Sequence, residues 1–510
     1  MASATPTLAR RYSFKLLANM AAVPVYLLME AILPRALGPA MYGNFSFATN
    51  LFQQLSGFLD MGTSTCFYNA LSRRQGEHGL IAFYLRISLV VGLVTSLAGL
   101  CLLHPVTGQL LMPDVPLWLA PLAAVWAFLT WFGRVLRSMN DAIGATVGSE
   151  LVRTAVSLVG VGCLTLLYVC DALNIGTLFA QQYAMLGATA LGYWLVTHKS
   201  YAGRITLGLD RRTARAYGRE FFDYSHPLFV QALLSFFMLT AERWLLQWFD
   251  GSHEQGMFAL SQKVSWACFL FVSAMTPLLM RELSIAWGQK DKAAMARLVD
   301  RFAPLLYVVA AYFSCFTLVE AETLVQIFGG AAYAGAIVPV QIMALYPLHQ
   351  GYGQLAGSIF HATGRTHILR NMAALECVYG LTCAWLLLAP PDMYGLHLGA
   401  TGLALKTIGV QCLTVNAYLW LASRAIPLHF WRNLFHQVWS LCFLLGLAFA
   451  ARELTLPLPI PAVDSLGISR FVASGILYSA GCAALILAFP PIVGMSRQDL
   501  RELWLRFRKR

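Results

Sequence analysis

Ten ionisable side chains lie within long apolar stretches of this 510-residue chain. An ionised group at membrane depth is costly and usually faces a cavity or a partner, which makes each one a candidate functional residue. Long side chains near helix ends also reach the interface by snorkelling, and this is the alternative for Arg86, Arg153 and Glu320. The ten candidates are Glu30, Asp60, Arg86, Arg153, Glu242, Arg243, Lys263, Glu320, Glu376 and Lys406.

Three of these residues, Glu242, Arg243 and Lys263, flank one polar turn at 250–255. Glu242 and Lys263 are about equally far from this turn, roughly 10 Å at the α-helical rise. In a helical hairpin they share one depth, which predicts an ion pair between them. Glu242 and Arg243 are neighbours that point in different directions, so one can face a cavity while the other is paired. A structural clamp between the two helices is the alternative.

Glu30 has no basic residue at the corresponding place, because Asn50 stands where Lys263 stands in the other stretch. A carboxyl group in this setting is able to carry a proton or to bind sodium. Glu30 and Glu242 are therefore the predicted ion-coupling residues. The alternative for Glu30 is a protonated carboxyl group that only packs.

Glu30, Glu242 and Arg243 belong to a stretch that occurs twice, at 30–60 and at 242–261. In each copy an acidic residue is followed by a short turn and by a glycine that opens the next apolar stretch. Glu30 and Glu242 match only after a slip of one residue, and the duplication predicts two related halves. The pairs that match at a constant offset are Gly38 with Gly251, Gly43 with Gly256 and Phe45 with Phe258.

The composition places the chain in a membrane. Apolar residues make up 58% and charged residues 12% of the sequence, whereas about a quarter of a soluble domain is charged. Apolar runs of about 20 residues recur throughout, each long enough to cross a bilayer as a helix. Alternating strands typical of a membrane barrel are absent from the sequence. The predicted fold class is an all-α polytopic membrane protein with about fourteen transmembrane helices, in two six-helix lobes and a C-terminal helix pair.

The net charge of +12 does not indicate a nucleic-acid partner, because the basic residues lie between the apolar runs. Their alternation from loop to loop predicts that both termini are cytoplasmic. Cysteines with metal-binding spacing are also absent, so we expect neither a metal nor a cofactor. The predicted domains are an N-terminal lobe 1–198, a cytoplasmic linker 199–224, a C-terminal lobe 225–424, an appended helix pair 425–495 and a basic amphipathic tail 496–510.

Several short motifs occur in a fixed order along the chain. With them, the sequence resembles the polysaccharide-exporting (Wzx-like) branch of the multidrug/oligosaccharidyl-lipid/polysaccharide (MOP) superfamily. The family's usual Asp-Arg pair is replaced here by Glu242 and Arg243. The resemblance implies two six-helix lobes around a central cavity that opens alternately to each side, and a lipid-diphosphate-linked oligosaccharide as cargo. The motifs lie at 37–46, 58–62, 242–261, 328–333, 362–365 and 394–404.

Such a cargo needs cations for its diphosphate, for which arginine geometry is well suited, and amides for its sugars. The predicted diphosphate-binding residues are, in order, Arg243, Lys263, Lys406 and Arg153. The predicted glycan-contacting residues are Asn50, Gln53, Gln54, Gln341, Gln350 and Gln354.

The sequence therefore predicts a flippase of the bacterial inner membrane for polyprenyl-diphosphate-linked oligosaccharide, serving O-antigen, capsule or exopolysaccharide assembly. Predicted partners are the lipid-linked cargo, membrane lipids, a proton or sodium gradient, and the polysaccharide polymerase and chain-length machinery. The close alternative is a cation-coupled multidrug exporter or a lipid II-type flippase of the same superfamily. A membrane polymerase or ligase is disfavoured, because the predicted outer loops are short and concentrate no acid, base or nucleophile.

Overall fold

The computed structural model describes residues 8–74, 77–200, 208–273, 276–457 and 467–495. Side chains are described from Leu27 onward within these ranges, except at 69, 73, 78, 200, 227, 228, 231, 267, 269–278, 281 and 366. Within these residues the chain is helical and contains no strand, so the predicted all-α class is confirmed. The predicted basic tail at 496–510 lies outside the described residues. The helices are α1 Leu8–Asp60, α2 Thr63–Arg73, α3 His78–Cys101, α4 Pro105–Leu111, α5 Leu119–Ala142, α6 Thr146–Val169, α7 Ile175–Ser200, α8 Arg211–Ser273, α9 Thr276–Gly288, α10 Lys292–Val319, α11 Ala321–Phe328, α12 Ile337–Met343, α13 Tyr346–Ala362, α14 Thr366–Leu388, α15 Gly399–Ser423, α16 Phe430–Thr455 and α17 Ile468–Ala488.

The two longest helices, α1 and α8, are each interrupted at one glycine. Gly38 has φ 71° and ψ 168°, and Gly251 has φ 73° and ψ −171°, a conformation open essentially only to glycine. Both glycines stand at the turn of a helical hairpin. We call residues 30–44 the first hairpin and residues 243–256 the second hairpin.

Eight helical segments of the described chain are long and apolar enough to cross a membrane. Large apolar side chains on them are exposed, such as Leu158 and Val169 on α6, as expected for a surface that faces lipid. The protein is therefore a multi-pass membrane protein, while the count of about fourteen spans and the lobe arrangement stay predictions. The eight segments are Gly79–Cys101, Leu119–Ala142, Thr146–Val169, Lys292–Val319, Ala331–Ala362, His367–Leu388, Phe430–Thr455 and Ile468–Ala488.

The chain forms two compact units, Met1–Gly256 and Met257–Arg510. The N-terminal unit thus ends at the last residue of the second hairpin. Within it, α8 begins inside the predicted linker 199–224 and packs Tyr217 and Phe221 into a buried apolar cluster. Burial and the nearby Glu77 carboxylate raise the pKa of Tyr217. The predicted domain boundaries stay predictions.

The core of the N-terminal unit depends on small residues of α5. Ala120, Ala123, Ala124 and Ala127 are fully buried. A β-carbon added at Gly99 of α3 would lie 2.7 Å from the Ala124 β-carbon, so α3 and α5 approach each other closely. Small residues permit such approach in membranes, where dispersion forces and hydrogen bonds hold helices together.

The C-terminal unit is built around α10, and the appended helices α16 and α17 pack on it. The Ser474 hydroxyl donates to the Glu320 carboxylate at 2.8 Å. Arg452 donates to the Val319 carbonyl and pairs with Glu322 at 3.4 Å. Glu320 is only 5% exposed, so the interpretation that it reaches the surface by snorkelling is wrong. Its carboxyl group instead accepts hydrogen bonds from hydroxyl groups inside the unit.

One apolar run, Ala331–Ala362, is interrupted by a turn. The run is divided between α12 and α13, and α13 begins at Tyr346 with Pro347 in its first turn. Proline is tolerated there because the first turn lacks intrahelical partners for its backbone N–H groups.

Candidate functional site

The first hairpin holds a buried carboxylate between its two arms. The Tyr42 hydroxyl donates to Glu30 Oε2 at 3.1 Å, and these residues are 2% and 6% exposed. Twelve residues of straight α-helix span about 18 Å, so this hydrogen bond requires the turn at Gly38. Glu30 is therefore not an isolated carboxylate, as its lack of a basic neighbour had suggested. Its hydrogen-bond partner lies on the opposite arm.

The second hairpin holds a buried cation in the same way. Arg243 Nη1 donates to Gln255 Oε1 at 3.3 Å, again between residues twelve positions apart. Arg243 is 5% exposed and Gln255 is fully buried. The turn at Gly251 brings the two residues together. Gln255 was not among the predicted site residues, although it faces Arg243 across the turn.

The residues of the two hairpins correspond to each other at one constant offset in the sequence. A constant shift of 213 positions takes Glu30 to Arg243, Tyr42 to Gln255 and Gly38 to Gly251. The one-residue slip that matched Glu30 with Glu242 is therefore wrong, because successive helical residues point about 100° apart. Equivalent places in the repeat hold a carboxylate in one copy and a guanidinium in the other.

The hairpins also touch each other through a reciprocal backbone contact. A β-carbon on Gly43 would lie 1.9 Å from the Ser252 carbonyl oxygen. A β-carbon on Gly256 would lie 2.1 Å from the Pro39 carbonyl oxygen. Pro39 and Ser252 are again 213 positions apart, so each glycine meets the partner's equivalent carbonyl. The contact has local two-fold symmetry.

Side chains reinforce this contact. The Ser252 hydroxyl donates to Asn44 Oδ1, and Gln247 donates to Ser252 Oγ at 2.8 Å. Gln247 also donates to the Pro113 carbonyl at 2.9 Å, and Trp244 to the Leu110 carbonyl at 2.8 Å. The second hairpin is thereby bound to the end of α4 and to the segment that follows it.

The two buried charges are neighbours of one residue, Tyr42. It donates to Glu30 and interacts electrostatically with Arg243, on which the adjacent Glu242 carboxylate acts more strongly. A carboxylate and a guanidinium are thus placed near the contact between the hairpins, in a region almost closed to solvent. This arrangement can bind an ion or the charged part of a ligand once the region is opened.

Arg153 lies in a different cluster, at the start of α6. Its Nε and Nη2 atoms both lie 2.8 Å from Glu150, which also pairs with Arg137 of α5. Glu150 is 1% exposed, whereas the arginine side chains are 23% and 28% exposed. The cluster joins α5 to α6, which favours the structural alternative for Arg153 over diphosphate binding. Glu150 was missed, although its spacing of three from Arg153 is that of a helical ion pair.

Asp60 has a structural role as a helix cap. It accepts a hydrogen bond from the Ser64 amide at 3.1 Å and others from the hydroxyls of Thr63, Ser64 and Tyr84. These bonds satisfy donors at the start of α2, directly after Gly62, whose φ is 78°. The motif at 58–62 is therefore a turn that begins a helix.

The remaining predicted site residues are divided between the two units. Asn50 and Gln54 are half-buried on α1, where Gln54 donates to Asn50 at 3.4 Å. Gln350 accepts a hydrogen bond from Gln411 at 2.7 Å, a partner that the sequence did not indicate. The assembly of all these residues into one site stays a prediction. The N-terminal unit also contains Gln53 and Glu242; the C-terminal unit contains half-buried Lys263, Gln341 and Gln354 and buried Lys406.

Residues 8–278, more than half of the chain, match the model of a family described as polysaccharide biosynthesis proteins. The chain belongs to this family. The matched region contains both hairpins. No curated protein matches the sequence.

The solved structures with a similar fold include membrane transporters. The lipid II flippase MurJ, in an inward closed conformation, has a TM-score of 0.65 and 10% identity, over 94% of this chain and 99% of MurJ. An inward-facing multidrug resistance MATE family transporter of the MOP superfamily has a TM-score of 0.60 and 14% identity, over 81% of this chain and 98% of the transporter. The Vibrio cholerae MATE transporter VcmN has a TM-score of 0.53 and 17% identity, over 82% and 96% of the two chains.

At these identities the likeness shows the fold alone. Together with the family match, it confirms the predicted resemblance to the MOP superfamily. The fold is therefore the one shared by these MATE and MurJ structures.

Proposed function

We propose that this protein is a flippase that moves polyprenyl-diphosphate-linked oligosaccharide from the cytoplasmic to the outer leaflet of the bacterial inner membrane. It works by alternating access, with both termini in the cytoplasm, and supplies surface polysaccharide assembly. The observation that carries the proposal is the pair of buried, opposite charges at equivalent places of the duplicated hairpin. Membership of a polysaccharide biosynthesis family and a fold shared with a lipid II flippase support it.

Arg243 is the first diphosphate ligand in this proposal. It is buried, and the hydrogen bond that it donates to the uncharged amide of Gln255 is long, at 3.3 Å. A diphosphate is a stronger acceptor than an amide and matches the guanidinium geometry. Cargo binding therefore replaces the contact with Gln255, and Lys263 and Lys406 supply further positive charge.

Arg153 ranks last among the four cations because Glu150 already binds it through two nitrogen atoms. The half-buried amides Asn50, Gln53 and Gln54 in one unit, and Gln341, Gln350 and Gln354 in the other, contact the sugars. Amide side chains both donate and accept, as sugar hydroxyls do.

Glu30 couples transport to a proton or sodium gradient. Its hydrogen bond from Tyr42 holds the carboxyl group in place whether or not it carries a proton. Glu242 is the second coupling candidate. Polysaccharide polymerase and chain-length machinery receive the flipped unit.

The test is flipping in proteoliposomes, measured as the fraction of lipid-linked oligosaccharide that an impermeant glycosidase releases. We expect Arg243→Ala to lower the flipping rate at least tenfold and Lys263→Ala to lower it less. Arg86→Ala is the matched control, because Arg86 is an exposed arginine of α3. Equal rates for Arg243→Ala and Arg86→Ala would contradict the assigned role of Arg243.

A cation-coupled multidrug exporter is the second candidate. Likeness to MATE family structures and the buried Glu30 favour it. A wild-type protein that flips no lipid-linked glycan but exports a cationic dye under a gradient would support this candidate. Flipping of lipid II alone would instead support a lipid II-type flippase.

A further inference from the structure

We propose that an outer-face cavity of the N-terminal unit, bordered by Gln109, Asp114 and Trp248, is a further carbohydrate-binding site, which holds part of the glycan after it has been flipped. This inference rests on the proposed flippase function, which supplies the ligand and the orientation of the chain. With both termini in the cytoplasm, α3 runs outwards, and the segment between α3 and α5 lies on the outer face. The described residues that line the cavity, 109 and 112–117, include none of the predicted site residues.

The cavity combines an apolar lining with two polar side chains. Its volume is about 420 Å³, within the range of roughly 300–1,000 Å³ that is usual for small-molecule sites. Asp114 offers a carboxylate and Gln109 an amide, and both residues are exposed. Sugar hydroxyls can donate to the carboxylate, and they can both donate to and accept from the amide. The apolar part of the lining consists of Met112, Pro113, Val115, Pro116 and Leu117.

The segment that forms the cavity is fixed in place by its own packing. Met112 and Val115 are buried in an apolar cluster of the N-terminal unit. A β-carbon on Gly108 would lie 2.4 Å from the Leu102 carbonyl oxygen, so the chain packs closely against itself. Asp114 has φ 57°, in the left-handed region that few residues other than glycine adopt. A segment that is already ordered loses little conformational entropy when it binds a ligand.

An exposed tryptophan of the second hairpin borders this segment. Trp248 is 47% exposed, and its ring stacks on that of Trp244, with ring centroids 5.1 Å apart and planes inclined by 25°. Trp244 Nε1 donates to the Leu110 carbonyl at 2.8 Å. One turn beyond Trp248, a β-carbon on Gly251 would lie 3.1 Å from Asp114 Oδ2. Residues three and four apart share a helix face, so Trp248 lies between two contacts with the cavity segment.

An aromatic face beside a carboxylate and an amide is suited to a sugar. The face of an aromatic ring is electron-rich, so the C–H groups of a sugar ring pack on it while the hydroxyls bind the polar groups. A phosphate group is disfavoured, because the Asp114 carboxylate repels it. The alternative role for Trp248 is that of an anchor at the membrane surface, where tryptophan is enriched. An anchor and a sugar platform respond differently to added oligosaccharide.

The first experiment measures whether an oligosaccharide protects the cavity. In the full-length protein with its eleven natural cysteines replaced, Leu117→Cys is introduced and labelled with a water-soluble maleimide. The probe is the oligosaccharide that mild acid releases from the lipid-linked cargo of the flipping assay. We expect millimolar oligosaccharide to slow the labelling of Leu117→Cys several-fold. The control is Tyr394→Cys, at an exposed position between α14 and α15, whose labelling rate stays unchanged.

The second experiment tests the aromatic face. In the Leu117→Cys protein, we expect Trp248→Ala to raise the oligosaccharide concentration that gives half-maximal protection at least fivefold. Trp248→Phe should raise it less, because an aromatic ring remains. The matched control is Trp431→Ala, which removes another exposed tryptophan and leaves this concentration unchanged. Circular dichroism verifies that the variants are folded.

The site and the flippase function fail separately. Labelling of Leu117→Cys that the oligosaccharide does not slow, or that only inorganic diphosphate slows, would overturn the site and leave the flippase intact. Equal half-maximal concentrations for Trp248→Ala and Trp431→Ala would also overturn it and leave Trp248 as an anchor. Protection by the oligosaccharide without flipping by the wild-type protein would overturn the flippase and leave a carbohydrate-binding site.

Discussion

In the first hairpin the donor across the turn is Tyr42 and the acceptor is the Glu30 carboxylate. In the second hairpin the donor is the Arg243 guanidinium and the acceptor is Gln255. The two copies have the same turn glycine, the same spacing and the same contact with each other. Only the charge and the direction of the hydrogen bond are reversed.

The comparison distinguishes positions that the backbone geometry fixes from a position whose charge can differ between the copies. The glycines are fixed in both copies because their φ angles and close approach exclude a side chain. The charged position has no such constraint, because either sign can be hydrogen-bonded across the turn. The duplication therefore provides one scaffold with two electrostatically different sites. Four predictions test this interpretation, in order of decreasing effect on stability.

Charge reversal has the largest expected effect. Arg243→Glu places a second buried carboxylate beside Glu242 and lowers the free energy of unfolding by about 3–5 kcal/mol. The double variant Glu30→Arg with Arg243→Glu regains part of this loss, because Tyr42 can accept from arginine and Gln255 can donate to glutamate. Thermal unfolding in detergent measures both. A double variant less stable than Arg243→Glu alone would show that the two sites are not interchangeable.

Removal of the cross-turn partners has the next largest effect. Tyr42→Phe and Gln255→Leu each delete one hydrogen bond to a buried charged group, which costs about 1.5–3 kcal/mol. Equivalent hairpins predict similar losses of thermal stability for the two variants. Tyr183→Phe serves as the control: its hydroxyl donates to the neutral Leu122 carbonyl at 2.6 Å, so its loss costs about 1 kcal/mol. A much larger loss of thermal stability in only one of the two variants would show that the hairpins are not equivalent.

Substitution of the turn glycines follows. Gly38→Ala and Gly251→Ala each force a residue with a β-carbon into a conformation that costs about 1–3 kcal/mol. We expect the two midpoints of thermal unfolding to fall by similar amounts. Gly57→Ala, in a regular helix with open space, is expected to be neutral or slightly stabilising. A stable Gly251→Ala variant would mean that the second turn tolerates a different backbone.

The smallest effect on stability is expected from Glu30→Gln, below about 1 kcal/mol, because the amide oxygen still accepts from Tyr42. Its transport should nevertheless no longer respond to a proton or sodium gradient. Glu320→Gln is the matched control, a buried carboxylate that Ser474 and Thr323 bind within the C-terminal unit. Full gradient-dependent transport by Glu30→Gln would remove Glu30 from the coupling mechanism.

The roles of many residues in the candidate site could be assigned only from the tertiary structure. Asp60 stood among the functional candidates, but it caps α2 together with the nearby Thr63, and only the fold brings Tyr84 to it. Glu150 was not a candidate, yet it is the most buried member of a cluster with Arg137 and Arg153. The spacing of three between Glu150 and Arg153 is visible in the sequence. The burial of Glu150 and its pairing with Arg137 depend on which helix faces meet, and a single sequence does not contain this information.

The sequence by itself determined the all-helical membrane class, since apolar runs must satisfy their backbone groups internally. It also determined the two turns, because only glycine readily adopts the conformation found at Gly38 and Gly251. The constant offset of the matched glycines also takes Glu30 to Arg243, and the tertiary structure decided between this match and the one with Glu242. A shift of one residue changes little in a sequence but rotates a helical side chain by about 100°, so only cross-turn contacts could choose between Glu242 and Arg243.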